Sequence, residues 1–233
     1  MGNGESRLSV SYDSLKSHVT YGCNALYRDF NPTALIATDE WMIYEIMLSN
    51  YSKNNQCYFD NFDLLPAESV DFIKQQIPKN VKVVENNNKN YMFSLYGREL
   101  DKDLNKNPCY YIIWIDSDDM VTDISDIIPE RYDERYVKDS GINAIEMCCA
   151  IDKPEHIFLL GFDLSNHNGN VNNVYKGTNC YADSTSPPVD PTSWFRDLNA
   201  VLDKYKHIGF THVQNNKVLD IDTITVKDFI NML

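Results

Sequence analysis

Short apolar runs alternate with longer amphipathic stretches along most of the chain, separated by polar, Gly- and Pro-rich punctuation. Seven runs read as strands: VTYGCN (19–24), TALIATD (33–39), QCYFDNF (56–62), VKVVEN (81–86), CYYIIWID (109–116), EHIFLLGFDL (155–164) and GFTHVQ (209–214). Helical spacing marks EWMIYEIMLSNY behind Asp39, AESVDFIKQQI between Pro66 and Pro78, and DSGINAIEMCCAI from Asp139. TSWFRDLNAVLDKYKHI (192–208) and TVKDFINML (225–233) complete the set. Such alternation predicts an α/β, Rossmann-like domain over 1–233, its mostly parallel sheet flanked by helices.

Two stretches break the rhythm. Residues 87–108 are rich in Asn, Lys and Asp around one aromatic run (Tyr91–Tyr96), and read as an insertion or lid. Residues 165–191 form a polar loop of 27 residues with little helix or strand signal, a length that is usually functional or disordered. In a parallel sheet ligands bind beyond the carboxyl ends of the strands. The opening residues, GCNALYRD, ATDEW, the loop at Asp116 and the loop after Asp163 are therefore expected to converge.

Each of these places has a chemical and a plain reading. MGNGES can cradle an anion with the backbone of Gly2, Asn3 and Gly4 and the hydroxyl of Ser6, or it is a mobile Gly-rich end. Asn24 and Arg28 suit a sugar, base or phosphate, or a self-satisfied turn. Ser140 and Gly141 head a helix whose free N–H groups favour an anion; a simple cap served by Asp139 or Ser140 is the commoner use. Asp116 and Asp118 end a strand as Asp-x-Asp, a solvated acidic turn more often than a metal site. His167, within the long loop, is a candidate general base, and Tyr175 and Tyr181 follow it. His156 and His207 read as structural, and His212 is ambiguous.

Charge narrows the partners. The formal net charge is −13 and no Lys/Arg cluster interrupts it, which disfavours nucleic acid and anionic membrane. No apolar run approaches the roughly 20 residues of a membrane helix, and no leader precedes Gly2, so a cytoplasmic protein is expected. The six cysteines lack metal spacing and read as reduced, mostly buried thiols. A homo-oligomer is compatible with all of this.

GNGES followed by YGCNALYRD resembles the start of the bacterial lipo-oligosaccharide sialyltransferases, where a GNGPS loop precedes a Cys-Asn-x-x-Tyr segment. DSGINAIEMCCAIDKPEHIFLLGFDL resembles their later Ser-Gly helix start, Ala/Met/Cys-rich helix and following strand. Pterin diphosphokinase-like proteins and uncharacterised phage reading frames share this outline; for a phage product the compartment would be the host cytoplasm. The resemblance implies a modified Rossmann fold binding a cytidine nucleotide sugar without a metal. Asn3 and Asn24 would then contact the nucleotide and its phosphate, Ser140 and Gly141 would hold the nucleotide, and Tyr175 would take the place of a phosphate-binding tyrosine. Two departures stand out. Glu5 replaces the usual Pro, and PTSWFRD has no histidine where those enzymes carry their catalytic one.

The expected activity is transfer of a sugar from a nucleotide sugar, such as a CMP-sugar, to a hydroxyl acceptor, with His167 or Asp163 as base and no cofactor. The alternatives are ATP-dependent pyrophosphoryl transfer, with Mg²⁺ on Asp116 and Asp118, and nucleotide binding without chemistry.

Overall fold

The computed structural model of the protein describes residues 1–60, 82–84, 89–97, 109–116, 118–129, 138–164, 172–187 and 189–233. Its strands in chain order are β1 (Tyr21–Cys23), β2 (Ala34–Ala37), β3 (Cys57–Phe59), β4 (Lys82–Val84) and β5 (Lys89–Gly97). Then come β6 (Cys109–Asp116), β7 (Val121–Asp123), β8 (His156–Leu160), β9 (Gly209–Val213) and β10 (Asp222–Ile224). The α-helices are α1 (Tyr12–Leu15), α2 (Glu40–Leu48), α3 (Ile124–Ile127), α4 (Ser140–Ile151), α5 (Thr192–Lys204) and α6 (Val226–Met232).

The strand β2 explains the first sheet. Leu35, Ile36 and Ala37 are completely buried, and a run apolar on both faces needs a layer on each side. Leu35 and Ala37 pack with Met42, Ile43 and Ile46 of α2, whereas Ala34 and Ile36 pack with Ala144 and Met147 of α4. That alternation is the two-residue period of a strand. The sheet is parallel throughout, in the order β1-β2-β3-β7. A second parallel sheet has the order β10-β9-β8. It packs Leu159 and Phe210 against Ile142, Ile145 and Cys149 of α4 and Leu198 and Val201 of α5. Helix α4 thus serves both sheets, and the molecule is an α/β protein of parallel sheets flanked by helices.

The third sheet, β4-β6-β5, pairs β6 parallel to β4 and antiparallel to β5. Within the stretch 87–108, read as an insertion, a lid or a hairpin, Lys89–Gly97 is a nine-residue strand antiparallel to β6, with Phe93 opposite Ile113. The alternating aromatic and aliphatic positions of NYMFSLY carried that signal. The rest of 87–108, and the helix expected at 67–77, lie outside the described residues. The short elements β7, α3 and β10 were not foreseen, because three or four residues make too short a window for periodicity.

Among the described residues no helix is long and apolar enough to cross a membrane. Cys23, Cys57 and Cys149 are buried free thiols and Cys148 is half-buried, while Cys180, expected to be buried with them, is exposed.

The opening residues run between the two parallel sheets. The Met1 amino group donates to Tyr21 O of β1 at 2.6 Å, and Gly2 N–H donates to Leu160 O of β8 at 2.8 Å. Gly4 N–H continues the pattern to Gly161 O at 2.8 Å. Residues 1–4 therefore act as a short strand-like wedge at the seam.

Candidate functional site

A cavity of about 260 Å³ opens at the carboxyl ends of β1, β2 and β8, in front of the N-terminus of α4. Gly2, Asn3, Gly4, Asn24, Ser140, Gly141 and Asp163 all line it, so most of the expected residues do converge. Asp39, Asp139, Lys176, Tyr181 and Trp194 join them.

Most amides of the opening loop are engaged by the protein and not left for a phosphate: Gly2 and Gly4 as above, Glu5 N–H with Asn172 Oδ1 (2.9 Å) and Ser6 N–H with Asp163 Oδ2 (3.0 Å). The glycines are required by close approach instead. A Cβ on Gly4 would overlap the Asp163 carboxylate, and Gly161, at φ +75°, lets the Gly2 carbonyl oxygen pass where a Cβ would stand 2.6 Å away. Beneath the loop lies Arg7, fully buried, which sequence reading passed over. It donates to Gly2 O (3.2 Å), Asn3 Oδ1 (3.1 Å) and Tyr175 Oη (2.8 Å).

Four expected site residues turn out to be supports. Asp163, expected as a base, is buried and accepts from Ser6 Oγ, Ser6 N–H and Gln214 Nε2 (3.3 Å), so it anchors the loop. Ser6 spends its hydroxyl there and does not line the cavity. Arg28 lies off the cavity, holding Glu45 (2.8 and 2.5 Å), Thr178 Oγ1 (2.9 Å) and Asn179 O (3.1 Å), and thereby pins 172–187 to α2. Tyr175 is buried between Arg7 and Asp29, to which its hydroxyl donates at 2.7 Å. The tyrosine that does reach the cavity is Tyr181, whose Oη accepts from Asn3 Nδ2 (3.2 Å) and Ala25 N–H (3.3 Å).

At the head of α4, Ser140 Oγ accepts from Thr38 N–H at 3.0 Å and also bonds Thr38 Oγ1 at 2.8 Å, tying β2 to the helix. Ile142 and Asn143 N–H donate to Asp139 O. Among the described residues the N–H groups of Ser140 and Gly141 have no protein acceptor, and they open onto the cavity. A helix N-terminus favours negative charge at such a place.

Two carboxylates face that end. Asp139 occupies the cap position of α4 without capping it. Withdrawal from water pushes its pKa up to about 6, the nearby Asp39 and Asp197 push the same way, and a bond from Trp194 opposes them. Asp39 is raised too, by withdrawal from water, against a 3.2 Å bond from Asn24 Nδ2. Both stay open to solvent at the cavity mouth. Asn24 sits in the left-handed region at φ +51°, with its buried Oδ1 unpartnered. Lys176, at the rim, pairs with Glu5. Sequence reading saw Asp139 only as a cap, because a carboxylate before a helix is normally consumed by it.

The remaining expectations fall elsewhere. His167 lies outside the described residues. Asp116 ends β6 and Asp118 follows on an exposed turn; neither lines the cavity. His212 is fully buried and bonded to Phe162 O at 2.8 Å, and burial lowers its pKa, so it belongs to the core. No protein-family model, no curated protein and no solved structure matches the chain.

Proposed function

We propose that the protein is a Rossmann-like sugar transferase, binding a nucleotide sugar in this cavity and passing the sugar to a hydroxyl acceptor. The observation that carries the reading is the pair of unclaimed N–H groups at the head of α4, facing Asn3, Asn24 and Tyr181 beyond the ends of parallel strands. Charge selects the donor class. Among the described residues of the lining, Asp39, Asp139 and Asp163 stand against Lys176 alone. That balance repels a triphosphate but tolerates a single phosphodiester at the helix end, and carboxylates accept hydrogen bonds from sugar and ribose hydroxyls. A CMP-sugar fits this description.

In the transfer, the acceptor oxygen attacks the anomeric carbon, the bond from that carbon to the phosphate oxygen breaks, and CMP leaves with the bonding pair. The acceptor proton passes to Asp139, whose pKa of about 6 suits a general base near neutrality. The α4 amides hold the departing phosphate, where negative charge grows.

A thermal-shift series with CMP, CMP-sugars and ATP, with and without Mg²⁺, tests this. A ligand at 100 times its Kd stabilises by about 2.7 kcal/mol, a rise of roughly 5–10 °C for a chain of this size. CMP is expected to shift the protein without metal, and Asp139→Asn to keep the shift while losing turnover. No shift with any nucleotide overturns the reading.

The nearness of Asp39 to Asp139, which helps raise the latter's pKa, supports a second reading, pyrophosphoryl transfer from ATP. Mg²⁺ is commonly held by one or two carboxylates together with substrate phosphates, and these two would take the part first given to Asp116 and Asp118. An ATP shift that needs Mg²⁺ and vanishes in Asp39→Asn would select it.

A further inference from the structure

Helix α5 carries an apolar stripe that its partner helix covers only in part. Trp194, Leu198 and Val201 recur at i, i+4 and i+7, which puts them on one face. Leu198 and Val201 are fully buried, packed with Ile142, Ile145 and Cys149 of α4. Trp194 lies one turn nearer the start of α5 and touches the same cluster, yet it is only half-buried. The polar cavity, and not another element, meets the rest of the indole.

The ring is held there by a fixed helix start. Asp190 accepts from Thr192 N–H (3.0 Å) and Thr192 Oγ1 (2.6 Å), and Phe195 N–H donates to Pro191 O at 3.0 Å. Long helical side chains lean towards the N-terminus of their helix, which turns Trp194 away from Leu198 and out of the packed part of the stripe. Its indole N–H, a donor only, bonds the Asp139 carboxylate. Two oxygens give that carboxylate further acceptor positions besides the one Trp194 takes. Leu164 and Val189 add apolar surface to the same lining.

Carbon surface beside an acceptor carboxylate has a definite chemical match. A sugar ring has a face of C–H bonds and a rim of hydroxyls. The C–H face packs on the electron-rich face of an indole, and a hydroxyl donates to the carboxylate. A base has different needs, and the group of Asn3, Ala25 and Tyr181, bonded to one another with Asn24 beside them, carries the amides and hydroxyl that meet those. Chain order then fixes which ring lies at Trp194. Asp139 directly precedes Ser140 and Gly141, whose N–H groups are free for a phosphate. In a nucleotide sugar the transferred ring is joined directly to that phosphate.

Resting on the sugar-transferase reading, we propose that Trp194 is the platform for the transferred sugar. Its open indole face packs against the C–H face of the ring and sets the ring beside Asp139, while the phosphate lies at the head of α4. Trp194 is thereby a specificity-determining residue, which favours a sugar-bearing nucleotide over the bare nucleotide.

The test measures the affinity of the full chain for CMP and for CMP-sialic acid by calorimetry, with tryptophan emission as a second signal. The parent is expected to bind CMP-sialic acid about tenfold more tightly than CMP. Only the sugar-bearing ligand should change the emission. Trp194→Leu keeps an apolar side chain against the α4–α5 cluster and removes the flat face. It is expected to bring the two affinities together by weakening CMP-sialic acid, with the Kd of CMP held within about twofold. Trp194→Phe should retain most of the preference while losing the emission change, because Trp41 and Trp114 lie outside the cavity lining. Equal weakening of both ligands in Trp194→Leu overturns the proposal, since the ring would then serve the nucleotide or the fold. An unchanged preference overturns it as well. Binding of both ligands by the parent without preference overturns the platform alone, whereas binding of neither overturns the transferase reading beneath it.

Discussion

Two hollows share one seam, and their linings differ. In front of residues 1–4 the cavity is lined by Asn3, Asn24, Asp39 and Asp139; behind them the hollow is lined by Val19, Ile145, Phe158 and Phe229. The same strands, β1 and β8, border both. The difference comes from what ends there. At the carboxyl ends of the strands the chain leaves the sheet, so carbonyls, turns and a helix N-terminus meet and demand polar company. Alongside the strands only side chains meet, and burial there rewards apolar ones. The first hollow therefore gathers carboxylates and amides, and the second gathers aliphatic and aromatic side chains.

The largest effect is expected from Arg7→Met, which removes the buried cation under the wedge between the hollows. It strips Gly2 O, Asn3 and Tyr175 of their donor. Breaking a buried ionic network costs about 3–5 kcal/mol, a fall of roughly 10 °C or more in Tm. Any CMP-induced shift should go with it. A variant of unchanged Tm would show that the wedge stands without this support.

Next come two carboxylates of the helix that runs under both hollows, with opposite signs. Burial alone pushes Glu146 up, but hydrogen bonds from Lys204 (2.9 Å) and Lys138 (3.0 Å) outweigh it and hold its pKa below the usual value. Its stabilisation is present above the ordinary carboxylate range and fades as pH falls through the lowered folded value. Glu146→Gln should therefore cost about 3 kcal/mol near pH 7, with the gap to the parent narrowing in acid. Asp139 behaves in reverse. Its raised pKa makes the folded state the stronger proton binder, so stability is lost as pH rises towards 6 and beyond. Asp139→Asn should match the parent near pH 4 and exceed it modestly near pH 7 in denaturant titrations. A constant offset across that range would refute the assignment.

The smallest effect is expected from Phe158→Ser, on the wall of the apolar hollow. Half-exposed as it is, the ring should contribute less than about 0.5 kcal/mol to the chain as it stands. A large loss would mean that the hollow is already closed around the ring.

Much of this architecture was legible in residue order. Apolar runs of four to eight residues marked most of the strands, Asp39 and Asp139 marked helix starts, and the convergence of the opening residues, Asn24, Asp39 and the loop after Asp163, though not of the loop at Asp116, followed from the parallel arrangement. The individual roles were not. Arg7 looks like any surface arginine until Gly2, Asn3 and Tyr175, the last of them 168 positions away, close around it. Tyr175 and Tyr181 are equivalent as letters in a polar loop, and only the turn between them sends one to the core network and the other to the cavity. Asp163 carries the right chemistry for a base, yet Ser6 and Gln214 take up its oxygens.

Local rules, acting over a few residues, thus settled the α/β class and the neighbourhood of the site, because hydrophobic period and capping are properties of adjacent positions. Which amides stay free, which carboxylate is idle and where the sheet has a gap depend on contacts between segments far apart in the chain. Those contacts exist only once folding has packed Met1–Gly4 between β1 and β8. The glycines of MGNGES mean close packing at a seam.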